Sequence, residues 1–226
     1  MSKFKAVLFD LGGTLIKTVE VPEIFRRILE KYGVSTCSED IAKAHKESEH
    51  EFSVENMVEL KEGFWVKYNS RVLEKLGINE NREFLAKKID ELWWNYAELQ
   101  VYSDVSKTLS QLKNKKIKTG IVTNAFEKDY QQIMQKLVWT DCFDVVVGID
   151  ACNKAKPDRA IFLYAINRLS VSPGETIFVG DSLKHDYEGA KRAGLKPLII
   201  NREGKTLADV ETIGGLIELL NYLEDS

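Results

Sequence analysis

The sequence predicts an α/β protein: a mostly parallel sheet with helices on both faces and an all-helical bundle inserted early in the chain. Three observations carry this. Ala6 to Phe9 is apolar without interruption, as a strand buried on both faces requires, and it runs into Asp10 and the glycine loop Gly12-Gly13-Thr14. From Pro22 to Leu99 the apolar residues recur at helical spacing only, and after Tyr102 strand and helix patterns alternate to the end.

Taken in order, Ile24, Phe25, Ile28, Leu29 and Tyr32 share one face of a first helix, stopped at Gly33. Residues from Ser38 to about Phe52 form a weaker one, with Ile41, Ala44 and His45 on one side. Trp65, Tyr68, Val72 and Leu76 define a third, ending at Gly77, and Leu85, Ile89, Leu92 and Tyr96 a fourth. Four helices with short connections make a small bundle, joined to the rest near Lys17 to Pro22 and Leu99 to Ser103.

Beyond it, Asp104 to Lys115 reads as a helix, Ile117 to Thr123 as a strand, Lys128 to Leu137 as a helix and Phe143 to Gly148 as a strand. Pro157 is placed as the first residue of a helix carrying Phe162, Ala165, Ile166 and Leu169. Thr176 to Val179 and Leu198 to Ile200 are strands flanking a helix over Glu188 to Ala193, and Ile213, Leu216, Leu220 and Leu223 mark a last helix.

With 226 residues, 44% hydrophobic, the chain is long enough for one large core and a satellite domain. Its 32 basic and 35 acidic residues leave a net charge of −3 and no basic tract, which argues against nucleic acid as a partner. No apolar run has the length of a membrane span, and the first strand begins too early for a signal peptide, so the expected location is cytoplasmic. Cys37, Cys142 and Cys152 are odd in number and show no C-x-x-C spacing, so neither a disulfide framework nor a zinc site is expected.

Chemistry-bearing residues fall at strand ends. Asp10 closes the first strand, and Thr123-Asn124 closes the strand after the bundle. Lys156 stands before Pro157, and Gly180-Asp181-Ser182 closes a later strand with Asp186 five residues on. In open α/β sheets ligands bind at that carboxyl edge. Singly each is a common cap or turn residue; the ordered set is not explained by coincident turns.

This ordered set resembles the haloacid dehalogenase-like (HAD) hydrolase superfamily. The matching segments are FDLGGTL at Phe9 to Leu15, VTNA at Val122 to Ala125, KPD at Lys156 to Asp158 and VGDSLKHDYEGAKRAG at Val179 to Gly194. The resemblance implies a Rossmann-like core over 1–16 and 101–226, with 17–100 as the helical cap, hinged at the two junctions and able to close over the site. It implies that Asp10 is the nucleophile of a covalent aspartyl intermediate. Thr123, Asn124, Lys156 and Gly13 would hold the transferring group, and Asp10, the Gly12 backbone carbonyl, Asp181 and Asp186 would hold Mg²⁺. Three crowded carboxylates call for such a cation. The implied partner is a small phosphorylated metabolite, with the protein a monomer or homodimer.

One position departs from the pattern. Phosphatases of the superfamily usually carry a second Asp, the general acid and base, where this chain has Gly12. Three readings follow. The first is a Mg²⁺-dependent phosphatase that takes its proton from water, the substrate or a neighbour such as His185. The second is a dehalogenase-like or phosphonatase-like hydrolase, the latter needing an imine-forming cap lysine such as Lys43, Lys46 or Lys61. The third is a relative that binds a phosphorylated ligand or a protein without turnover. In the cap, Phe64, Trp65, Tyr68, Trp93, Trp94 and Tyr96 are expected chiefly in the bundle core, and Arg26, Arg27, Arg71 and Arg82 are candidate substrate clamps.

Overall fold

The computed structural model describes residues 3–202, 204 and 209–223. β1 (Ala6–Phe9) pairs in parallel with β4 (Lys118–Val122) on one side and β6 (Thr176–Gly180) on the other. Outside these run β5 (Val145–Val147), β7 (Lys196–Ile200) and β8 (Thr212–Ile213), giving a parallel six-stranded sheet in the order β5-β4-β1-β6-β7-β8. The predicted parallel α/β sheet is therefore present. All four residues of β1 have no exposed surface, which is why the run could afford no polar residue.

Helices α6 (Val105–Asn114), α7 (Glu127–Leu137), α8 (Arg159–Leu169) and α9 (Gly189–Arg192) alternate with these strands. On one face Ile161, Phe162, Ala165 and Ile166 of α8 pack on Leu8, Val122 and Phe178, with the Phe162 and Phe178 rings edge to face at 4.9 Å. Each such side chain contributes about 1.5–3 kcal/mol by leaving water. The packing fixes the sheet from which the polar strand ends project.

Two expectations for this region are corrected. Pro157 does not open α8: the helix starts at Arg159, and Asp158 is its N-cap, accepting from the Ala160 N–H at 2.9 Å. An Asp cap satisfies an orphan donor where Pro at the first position only avoids one, and the Asp decides the boundary. The last predicted helix is instead a run of tighter, three-residue turns over Leu216–Leu223, with Ile213 in β8. Leucines at 216, 219, 220 and 223 suit a turn of 3.0 residues as well as one of 3.6, so their spacing does not separate the two.

The chain divides into two compact units, Met1–Lys17 with Val101–Ser226, and Thr18–Gln100. The second is all-helical: α1 (Val21–Lys31), α2 (Ser38–Glu49), α3 (Val54–Leu60), α4 (Phe64–Lys75) and α5 (Arg82–Tyr96). Five α-helices are described where the apolar spacing marks four. The additional one, α3, has no buried residue, so it leaves no stripe to read; it rests on a reciprocal cap between Ser53 and Asn56. β2 (Ile16–Lys17) and β3 (Gln100–Val101) form a separate two-stranded ribbon.

In the helical unit, Phe64 and Tyr68 are buried as expected for its core. Trp65, Trp93, Trp94 and Tyr96 are half-buried. The four arginines proposed as clamps are engaged locally: Arg26 with Glu23 and Glu30, Arg27 with Glu23 and Glu98, Arg71 with Glu51 and Glu74, and Arg82 with Asn79 and Glu74. Lys43, Lys46 and Lys61 are exposed, which is not the desolvated setting that makes a lysine a ready imine former. No helix among the described residues is long and apolar enough to cross a membrane.

Candidate active site

Sheet register brings the acidic, hydroxyl and cationic residues to one edge. Phe9 of β1 lies level with Ile121 of β4 and Val179 of β6. The ladder continues one step further, with Asp10 N–H donating to the Val179 carbonyl at 2.8 Å and Thr123 N–H to the Val147 carbonyl at 3.0 Å. Asp10 and Thr123 therefore leave the sheet within a residue of each other, with Asp181 just beyond the end of β6. The parallel arrangement sends all three toward the same side.

Lys156 is the centre of the cluster. Its Nζ lies 2.5 Å from Asp10 Oδ1 and 2.6 Å from Asp186 Oδ1, and only 3% of the residue is exposed. Oxygens of Asp10, Asp181 and Asp186 all lie within 4.8 Å of one another, with Asp10 and Asp186 buried and Asp181 open to solvent. Asp186 is brought back to the strand end by a wide turn over Leu183–Glu188, in which its Oδ2 accepts from the Ser182 N–H at 2.9 Å.

Two glycines make this approach possible. Gly13 has φ +71°, and a Cβ there would sit 2.1 Å from Asp181 Oδ2. At Gly180 a Cβ would sit 2.3 Å from Asp186 Cγ. Gly12 differs from both, since an added Cβ meets nothing within 4 Å.

The electrostatics follow from burial. Asp10 is pushed up to about 7 by burial, an effect that Lys156 opposes and that Asp186 and Asp181 reinforce. Burial also works against the Lys156 ammonium, but Asp10 and Asp186 outweigh it and hold its pKa above the ordinary lysine value. One ammonium faces three carboxylates, so the site is short of positive charge. Hard oxygen donors at this spacing, one side open to solvent, suit a small divalent cation that keeps some of its own water. The residues present fit Mg²⁺, and the Gly12 backbone is close in sequence to supply a carbonyl.

Sequence reasoning missed two features. Both polar groups of the Asn124 side chain bond the backbone of Lys156: Nδ2 donates to the Lys156 carbonyl at 3.0 Å, and Oδ1 accepts from the Lys156 N–H at 2.7 Å. Arg202, just past β7, donates from Nη2 to the Thr14 carbonyl at 2.6 Å, forks onto both oxygens of Asp104 at 3.1 Å, and stacks 3.6 Å over the Tyr102 ring. Asp104 also accepts from the Leu216 N–H at 2.8 Å, so the loop that follows Asp10 is tied to three distant segments. His185 sits part-buried beside Ser182, its Nδ1 3.2 Å from Ser182 Oγ. Burial lowers its pKa, Asp186 opposing this.

A parallel sheet with an Asp–Lys–Asp cluster at its carboxyl edge defines an α/β hydrolase-type site. The model of the haloacid dehalogenase-like hydrolases matches residues 7–200, and the chain belongs to that family. It is 31% identical over 213 residues to the pyrophosphatase PpaX of Bacillus anthracis, covering 93% of this chain and 89% of that protein. It is 29% identical over 217 residues to the human N-acylneuraminate-9-phosphatase, covering 90% and 85%. The crystal structure of a HAD phosphatase from Thermococcus onnurineus superposes with a TM-score of 0.65 at 30% identity, covering 97% of this chain and 98% of that one.

Proposed function

We propose that this protein is a Mg²⁺-dependent phosphatase acting on a small phosphorylated metabolite, with Asp10 as nucleophile. The observation that carries the reading is Lys156, buried and bridging Asp10 and Asp186 beside the open carboxylate of Asp181. Relatives named as phosphatases and a pyrophosphatase support it. We read 17–100 as the cap of the family and 1–16 with 101–226 as its core.

In this reading an Asp10 oxygen attacks phosphorus, the bond to the leaving oxygen breaks, and an aspartyl phosphate forms. Water then attacks that phosphorus and returns Asp10 as the free carboxylate. Lys156 balances charge on Asp10 and donates to a phosphoryl oxygen, while the Thr123 hydroxyl and the Gly13 backbone hold the others. Asp10, Asp181, Asp186 and the Gly12 carbonyl would hold the metal, which when bound supplies charge neutralisation for an anionic substrate entering an acidic pocket. Protonation of the leaving group has no carboxylic acid at position 12, so substrates with good leaving groups should turn over fastest.

The test is hydrolysis of p-nitrophenyl phosphate with Mg²⁺ and with EDTA. Mg²⁺-dependent turnover is expected, and none under either condition refutes the reading. The neutral, open Gly12 also favours a second reading, cleavage of a carbon-halogen bond, because a halide leaves without a proton. EDTA-insensitive halide release from 2-chloropropionate would establish it; the acidic trio stands against it.

A further inference from the structure

We infer that Asn124 is the positioning residue for Lys156 and that its side chain is not a ligand of the substrate; the inference rests on the catalytic role proposed for Lys156. Lys156 lies between β5 and α8, outside any strand or helix, so no ladder holds its backbone. Its N–H and C=O nonetheless need partners where water is scarce. Asn124 supplies both, through a pair of bonds at 2.7 and 3.0 Å that joins positions 32 residues apart.

The amide of Asn124 suits this role because it carries a donor and an acceptor side by side, matched to the two polar groups of one residue's backbone. Asn124 follows Thr123, which is itself pinned to β5 through the Val147 carbonyl. The clasp thus transfers the order of the sheet to a loop that has none of its own. A lysine side chain has four rotatable carbons, and its ammonium reaches Asp10 and Asp186 together only if its backbone is held in place. Asp158 restrains the far side of the same loop by capping α8, but it does not touch Lys156.

A substrate ligand and a positioning residue predict different kinetics. Losing a ligand raises KM and weakens inhibition by phosphate, whereas misplacing Lys156 lowers the rate of the chemical step. Misplacement by about 1 Å is worth about 10²-fold in rate.

The experiment measures kcat and KM for p-nitrophenyl phosphate, and the inhibition constant of inorganic phosphate, in Asn124→Ala and Asn124→Leu. Leu fills nearly the same volume without either hydrogen bond, so at least one variant should keep the fold, as checked by thermal melting. Both should lose about 10²-fold in kcat, with KM and the phosphate constant within about threefold of the parent. Constants that rise about tenfold or more with kcat preserved would make Asn124 a ligand and overturn the inference. Unchanged kinetics throughout would overturn it too. Undiminished turnover in Lys156→Met would instead remove the role given to Lys156, a failure of the underlying reading that the Asn124 variants alone would not produce.

Discussion

Replacing Gly12 by Asp tests the proposed chemistry most directly. The structure leaves room for it: an added Cβ meets nothing within 4 Å, and Gly12 is not among the glycines at positive φ. The neighbouring Gly13 has neither freedom, so the two glycines serve different ends. A carboxylic acid two residues after Asp10 would stand beside the departing oxygen. General acid catalysis is worth about 10²–10⁴-fold, or about 3–5 kcal/mol of barrier. An opposing effect exists, because Asp10 is already raised to about 7 by burial and two acidic neighbours, and a fourth carboxylate raises it further. Saturating Mg²⁺ offsets that charge. The assay compares kcat on glycerol 3-phosphate with kcat on p-nitrophenyl phosphate, whose leaving group needs little protonation. We expect the alkyl ester to gain about 10²-fold while the aryl ester changes by less than about threefold. An alkyl rate that is unchanged or lower, in a folded protein at saturating Mg²⁺, refutes the argument that position 12 limits turnover.

Three other outcomes are expected. Mg²⁺ at about 100 times its dissociation constant should raise the melting temperature by about 5–10 °C, corresponding to about 2.7 kcal/mol, and Asp181→Asn should remove most of that shift. His45, buried in the helical unit with Nδ1 3.1 Å from the Tyr68 hydroxyl and no partner for Nε2, is held down to about 4 by burial. Its neutral form is favoured by folding, so its contribution is complete above about pH 6.5 and is lost as pH falls toward 4, by at most about 3 kcal/mol. Asp10 has the opposite sign, gaining stability on the same descent. Urea melts of His45→Gln against the parent therefore isolate the histidine; equal pH slopes would contradict the assignment. Val138, the left-handed residue closing α7 at φ +55°, is 81% exposed, so Val138→Gly relieves strain and loses little packing. It should gain about 1 kcal/mol, or about 2–4 °C in melting temperature.

What could be read without coordinates was local. Ala6 to Phe9 announces itself as a central strand because four apolar residues in a row are tolerated only where both faces are covered. The strand ends carrying Asp10, Thr123 and Asp181 follow from the same logic. Helix α3 escaped because it buries nothing, and the turns at Leu216–Leu223 escaped because i and i+3 spacing serves two helix types. The Asn124 clasp and the Arg202 fork span 32 and 188 residues, and a hydrogen bond across such a distance leaves no period in the sequence. Local pattern predicts which residues reach an edge, whereas the partners that hold them there are set by tertiary approach.

The Arg202 fork has a consequence for how the protein comes into being. A nascent chain displays Asp10, Lys156 and both later aspartates before Arg202 has been made, and until then the Thr14 carbonyl lacks its guanidinium partner. Shortening the gene product ahead of residue 202 would therefore yield a fragment with every acidic group present and its foremost loop untethered, its competence decided by the final tenth of translation and not by the opening motif.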